Sequence, residues 1–337
     1  MQFKNITANE DLELSTRLII HEAENRGFSV EILDKANNFI RISNNDRSEY
    51  IMQATRTRSD SYISPLIMEN KLVTKIILGE AGINTPSGSS YLSIQSLIED
   101  FPKWKNRAFV IKPNSTNFGK SVFLFPSGAA EKDFALAAES AFKADKQVLV
   151  EQLFEGKEYR FLVIGNYVRA VLHRVPANVT GDGNKTIAEL VNDKNKNPLR
   201  GKGYVTPLEK LELGDEEKMY LDAQGFDFTS VPAYGETIYL RENSNISTGG
   251  DSIDFTDNID PSYKDIAVAA AKAVDASICG VDLIAKDITR HADTDNYTVI
   301  ELNFNPALHI HDFPANGKNR KVEKHVLDLL GLQEEKC

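Results

Sequence analysis

The stretch Val299-Ile300-Glu301-Leu302-Asn303-Phe304-Asn305-Pro306, preceded by Gly280-Val281-Asp282-Leu283-Ile284 and a charged connection, sets acids and amides inside apolar strands. Successive side chains of a strand point to opposite faces, so the alternation predicts Glu301, Asn303 and Asn305 on one face and Ile300, Leu302 and Phe304 on the other. A hairpin turning around residues 287–296 would put Asp282 directly opposite Glu301. That like-charge pair is unfavourable without a cation between its members. Two carboxylates and an amide suit a hard divalent ion such as magnesium, which completes its shell with water and substrate phosphates. A solvent-facing acidic strand pair is the competing reading, and the rest of the chain has to decide between them.

At 337 residues the chain is long enough for two or three lobes with sizeable cores. With 41% hydrophobic and 26% charged residues, the composition is that of an ordinary globular protein. A net charge of -10, with basic residues interleaved among acids, argues against a nucleic-acid partner and for small ligands. The first residues have no apolar signal core, and no run approaches the ~18 apolar residues of a membrane span, so a cytoplasmic protein without membrane contact is expected. The two cysteines, Cys279 and Cys337, form no disulfide framework, and Cys279 reads as buried core.

Three lobes are expected. Residues 1–88 read as an α/β lobe: a helix over 12–26, strands over 28–33 and 39–42, a further strand over 50–55, and one helix over 66–80 ending at Ala81-Gly82. Residues 89–155 read as a small α+β lobe, and residues 156–337 as the larger lobe that carries the acidic strands. A long polar stretch covers 178–217, and the closing helix over 322–330 is amphipathic.

Between two strands lies Lys112-Pro113-Asn114-Ser115-Thr116-Asn117-Phe118-Gly119-Lys120-Ser121. It is no P-loop: Asn114 stands where the first glycine is required, and the residues after Ser121 are strand-like. A strand–loop–strand lid over phosphates fits better, with Lys112 as a point charge. Further on, Val148-Leu149-Val150-Glu151-Gln152-Leu153 leads through a linker to Glu158 and Arg160. The linker backbone could read a nucleobase edge, and Glu158 could take ribose hydroxyls. Arg241 precedes Ser244-Asn245-Ile246-Ser247-Thr248-Gly249-Gly250, where the guanidinium and backbone amides suit an oxyanion. Each segment alone has a plain surface-loop reading. His309 and His311 would share a strand face, but nothing nearby completes a zinc set.

The order of these segments resembles the ATP-grasp superfamily of carboxylate–amine ligases across residues 71–306. Arg160-Phe161-Leu162-Val163-Ile164, the run from Val175 to Gly183, Ser244–Gly250, Asn303-Phe304-Asn305-Pro306 and the opening-lobe motif from Tyr62 to Lys71 are similar to the C-terminal module of bacterial bifunctional glutathione synthesis enzymes; cyanophycin synthetases share some of these segments. The resemblance implies an ATP-grasp fold with an N-terminal α/β lobe, a lid lobe and a C-terminal catalytic lobe. It implies that Lys75, Lys112, Ser115, Thr116, Asn117, Gly119 and Ser121 serve ATP phosphates and lid, that Glu151 and Leu153 face adenine, and that Glu158 holds ribose. Asp282, Glu301 and Asn303 would bind two magnesium ions, with manganese an open substitute. Arg241, Asn245 and Arg160 would serve the reaction. The implied activity joins γ-glutamylcysteine and glycine through an acyl phosphate. The alternatives are a ligase for another dipeptide or amino-acid pair, or a non-catalytic ATP-binding remnant. A homodimer stays open. Two departures are expected to matter: there is no room ahead of Met1 for the partner module, so the chain would perform one step, and Ser121 stands where those relatives usually have a second glycine.

Overall fold

A computed structural model describes residues 6, 9–45, 47–116 and 119–333 of the chain. The chain forms two compact units, each assembled from separate segments: residues 1–59, 169–257 and 305–337 in one, residues 60–168 and 258–304 in the other.

The second unit carries most of the residues discussed below. Part of it is an antiparallel sheet in which Gly88–Tyr91, Val148–Gln152, Phe109–Pro113 and Phe123–Phe125 lie side by side. The helix Glu131–Ala144 covers this sheet with Phe134, Ala137, Ala138 and Ala141, and Phe109, Ile111, Val148 and Val150 meet it from the strands. This helix is alanine-rich, with Glu131 and Asp133 in its first turn and Lys143 in its last, charges that complement the helix dipole. The other part is an antiparallel triplet with Ile278–Ala285 between Lys157–Ile164 and Tyr297–Asn303. Its central strand is buried almost end to end, which explains its run of apolar residues with one acid.

One expected helix is two. The periodicity over 66–80 runs through Asn70, but the structure ends one helix at Ile63–Glu69 and starts another at Lys71–Glu80. Asn70 adopts an extended conformation, its Oδ1 accepts the Val73 N–H at 3.1 Å, and it therefore acts as an N-cap. Asn114, 2% exposed, fixes the start of the second helix: its Oδ1 accepts from Leu72 N at 2.9 Å, and its backbone oxygen accepts from Lys71 N.

In the first unit, Ser29–Asp34, Phe39–Ser43 and Ser48–Met52 form a three-stranded antiparallel sheet, and the helices Leu14–Asn25 and Val322–Leu329 pack on one another. The polar stretch over 178–217 is not structureless. It contains the strand Asn178–Thr180, paired with Thr237–Tyr239, and the helix Ile187–Lys194, which begins with a Thr186/Glu189 capping box. Its own small core gathers Ile187, Val191, Leu211, Leu221, Ile238 and Leu240. Among the described residues, no helix is long and apolar enough to cross a membrane.

Candidate active site

The acidic pair is opposed as expected, through a register shift between Asp282 and Leu283 that skips Ile300. In the register of the hairpin Asp282 lies opposite Glu301, and on its other side it lies opposite Arg160, so the three form one row across three strands. Arg160 answers the like-charge problem in part. Its Nε–H and NH2 groups bind the two oxygens of Asp282, the second at 2.7 Å, and Asn303 Nδ2 donates to Asp282 Oδ2 at 3.3 Å. Asp282 is 3% exposed, so this fork-to-fork pairing compensates a charge that could not stand alone there. Arg160 neutralises one of the two carboxylates and leaves Glu301 to its other neighbours.

Those neighbours are lysines. Glu301 lines one small pocket together with Lys71, Thr74 and Lys75, and its charge acts on both Lys75 and Lys112. Lys71 and Lys75 share a face of the helix Lys71–Glu80, and Lys112 sits on the strand Phe109–Pro113. Glu151, on the adjacent strand, joins two of them: one carboxylate oxygen pairs with Lys75 and the other with Lys112 Nζ at 2.8 Å. The three lysines Lys71, Lys75 and Lys112 against the two carboxylates Glu151 and Glu301 leave one positive charge in excess. Burial first, and then neighbouring lysines, accordingly push Lys112 down to about 8 and hold Lys75 well below the ordinary lysine value.

The lid expectations divide. The strands Phe109–Pro113 and Phe123–Phe125 pair antiparallel and enclose the loop, as a strand–loop–strand lid requires. Ser115 N donates to Asp145 Oδ2 at 2.6 Å, the Thr116 carbonyl accepts from Lys71 Nζ at 2.7 Å, and Thr116 Oγ1 donates to the Lys120 carbonyl at 3.3 Å. Gly119 and Ser121 both have left-handed backbone, with φ of 71° and 56°. Asn117 lies outside the described residues. In the linker, the N–H of Gln152 donates to Ser87 O and that of Leu153 to Ala108 O, so those two donors are committed to the fold. Glu158 is half-buried on the strand Lys157–Ile164, opposite Ile284.

Arg241 and Asn245 belong to the first unit and form a separate group. Arg241 Nε–H binds Glu217 Oε1, and its NH1 lies 2.6 Å from Glu216 Oε2. Asn245 starts the 3-10 turn Ile246–Thr248, and its carbonyl accepts from Thr248 N and Gly250 N at 3.2 and 3.1 Å. Gly249 N binds Ile246 O, so these glycine-loop amides close their own turn and do not face an oxyanion. That corrects the expectation for the loop: these amides are spent on their own turn, and Arg241 is paired with two acids. Gly249, at φ 92°, and Gly250, where a Cβ would meet Asn245 O at 2.8 Å, are required by that tight closure.

Two further expectations are corrected. Asn305 lies beyond the strand Tyr297–Asn303, accepting from Thr55 Oγ1 at 2.7 Å and donating to Gln53 Oε1 at 3.0 Å; it does not join the acidic face. His309 and His311 stand in the short helix His309–Asp312, where residues two apart diverge. His309 Nδ1 bonds Ser15 Oγ at 2.8 Å, and burial pushes its imidazole down to about 4. Cys279 is fully buried, its thiol pushed up to about 12 by burial, as the core reading requires.

Lys71 is the residue the sequence reading missed. A like-charge Lys71/Lys75 pair four apart on one helix face is unfavourable without an anion, and that spacing was the available signal. For a metal, the two strands offer Asp282 and Glu301, with Asn303 two residues further along opposite Gly280. Among the described residues no group of three or more His, Cys, Asp or Glu could hold an ion. Two carboxylates and one amide fit magnesium, which keeps water and phosphate ligands.

Residues 10–63 match the model of an ATP-grasp-like domain, and residues 240–318 match that of the RimK-like ATP-grasp domain. These matches assign the two segments to the ATP-grasp superfamily. The chain is 55% identical over 326 residues to the glutathione biosynthesis bifunctional protein GshAB of Clostridium perfringens, covering 97% of this chain and 42% of that protein. It is 52% identical over 322 residues to the protein of the same name from Desulfotalea psychrophila, covering 96% and 41%. A crystal structure of a bifunctional glutathione synthetase from Pasteurella multocida matches with a TM-score of 0.74 at 45% identity, covering 96% of this chain and 45% of that one. The chain thus spans less than half the length of the curated relatives it matches.

Proposed function

We propose that this chain is an ATP-dependent carboxylate–amine ligase that joins γ-glutamylcysteine to glycine through an acyl phosphate. The observation that carries the reading is the meeting of Lys71, Lys75 and Glu301 at one pocket: an excess of buried cations beside an acidic row. Phosphates would complete the lysines, and Asp282, Glu301 and Asn303 would hold magnesium. Similarity over nearly the whole chain to bifunctional glutathione biosynthesis proteins supports the choice of substrates.

A carboxylate is a poor electrophile at neutral pH, and phosphorylation turns it into an acyl donor. In this reading Lys75 and Lys112 hold the phosphates of ATP, and Arg241 balances charge on the transferring group. Bound magnesium would supply Lewis-acid neutralisation of phosphate charge. The glycine amine then attacks the acyl carbon and phosphate leaves. Ser115, Thr116, Gly119 and Ser121 belong to a lid that keeps water from the acyl phosphate. Leu153 and Glu158 would face the nucleoside, Asn245 would stand beside the acyl group, and Arg160 would orient the metal-binding Asp282. Glu151 acts in this reading as the spacer between the two lysines.

The test is magnesium-dependent ADP release by the purified chain with γ-glutamylcysteine and glycine, set against a panel of other acids and amines. Turnover that needs glycine supports the reading. Turnover only with another pair reassigns the substrates, and ATP binding without turnover for any pair refutes ligase activity.

A further inference from the structure

We propose that two adjacent acids divide the control of Arg241: Glu217 positions its guanidinium, and Glu216 occupies its outer edge until a substrate oxyanion replaces it. The inference rests on the reading of Arg241 as the group that balances charge on the transferring phosphoryl or acyl group.

The two acids differ in everything except charge. Glu217 lies in the first turn of the helix Asp215–Ala223 and is 2% exposed. Both of its oxygens are committed: Oε2 accepts the Gly214 N–H at 2.9 Å, closing the helix N-terminus, and Oε1 accepts Arg241 Nε–H. Leu240, beside Arg241, is fully buried in the same small core as Leu221 of that helix, so the anchors on both sides are fixed. A buried, charge-assisted pair with a backbone tether cannot open cheaply. Glu217 therefore sets the direction of the guanidinium.

Glu216 reaches the same guanidinium from solvent. Its side chain is 77% exposed, and its Oε2 lies 2.6 Å from Arg241 NH1. An ion pair at such exposure is weak and screened by salt. An incoming carboxylate or phosphoryl oxygen can take its place without a change in the charge balance around Arg241, because one anion leaves as another arrives. Glu216 is in this sense an internal competitor for the anion, and Glu217 is not. The sequence order follows from the helix: neighbouring residues point about 100° apart, so one acid faces the core and the next faces water.

The experiment uses ADP release by the full chain with γ-glutamylcysteine and glycine, measured as kcat and KM for the activated acid. Glu216→Gln is expected to lower that KM about threefold, an effect in KM and not in kcat, which fades in about 0.5 M salt. Glu217→Gln is expected to lower kcat roughly a hundredfold with a smaller change in KM, the signature of a misdirected group. Glu217→Asp, which keeps the charge but not the reach, should fall the same way, and thermal melting confirms the fold of each variant. Should Glu217→Gln not fold, Glu217→Asp and Glu216→Gln decide. If Arg241→Ala turns over like the unaltered chain, or the unaltered chain turns over with no substrate pair, the underlying reading fails and this inference with it. If Arg241→Ala abolishes turnover while Glu216→Gln leaves KM unchanged, or either Glu217 variant keeps kcat, the division of roles alone is overturned.

Discussion

Lys112 illustrates how one buried charge can be tuned by its neighbours and then put to use. Burial and the charge of Lys71 bring it down to about 8, while Glu301 pulls the other way. Below that value it is an ammonium that can hold phosphate; above it, it is a neutral amine. The affinity of the chain for ATP is therefore expected to fall as pH rises through about 8, and Lys112→Arg, whose guanidinium stays charged, should lose that inflection. Titration calorimetry with ATP across this range checks both statements. Glu301 stands between the lysines and Asp282, so its removal acts on both sides. Glu301→Gln is expected to cut turnover about a hundredfold or more while the melting temperature stays near that of the unaltered chain, since the side chain is only half-buried. Full turnover by that variant would refute the metal assignment.

At the scale of elements, the turn over 119–122 contains a residue in the wrong chemistry for its conformation. Ser121 has φ 56° where the Val122 N–H closes on the Gly119 carbonyl at 3.3 Å, so Ser121 sits third in a tight turn that favours glycine. A non-glycine residue there costs on the order of 1 kcal/mol, and Ser121→Gly should relieve it at the expense of a more mobile chain. Slower proteolytic cleavage of the lid for the glycine variant is the expected outcome; faster cleavage would mean that entropy outweighs strain. The glycine-for-serine difference was legible only through the resemblance to the bifunctional enzymes, and the left-handed backbone behind it came from the structure. The Asp282–Glu301 pairing was legible as an expectation, but the irregularity that sets it was not: Leu283 lies opposite Val299, and a register shift between Asp282 and Leu283 skips Ile300. The Arg160–Asp282 fork was not, because it depends on a strand more than a hundred residues away. Nor was the break at Asn70 legible, where apolar periodicity continues across a cap. The lysines that pair with Glu151 were not legible either, because sequence shows where a strand ends, not which side chains lie across from it.

At the scale of the whole chain, a buried acid pair makes stability depend on pH in an uncommon direction. Asp312 is 1% exposed, and its carboxyl is held well above the usual range, first by burial and then by the charge and hydrogen bond of Glu323, which is 9% exposed. Val322 N–H donates to Asp312 Oδ1 at 2.8 Å, which favours the ionised form but does not outweigh those effects. A group with a raised folded-state value contributes stability that is complete below its unfolded value, near 3.8, and is lost as pH rises through the folded one. The unaltered chain should therefore lose stability from about pH 4 upward on account of this pair. Asp312→Asn has no proton to lose. Its amide oxygen can still accept from Val322, and its NH2 can donate to Glu323, so the helix Val322–Leu329 keeps its anchor. The variant is expected to match the unaltered chain near pH 4 and to be the more stable of the two near pH 8, as measured by urea unfolding at the two pH values. A difference that stays the same at both would show that the pair is ionised in the fold and that its cost lies elsewhere.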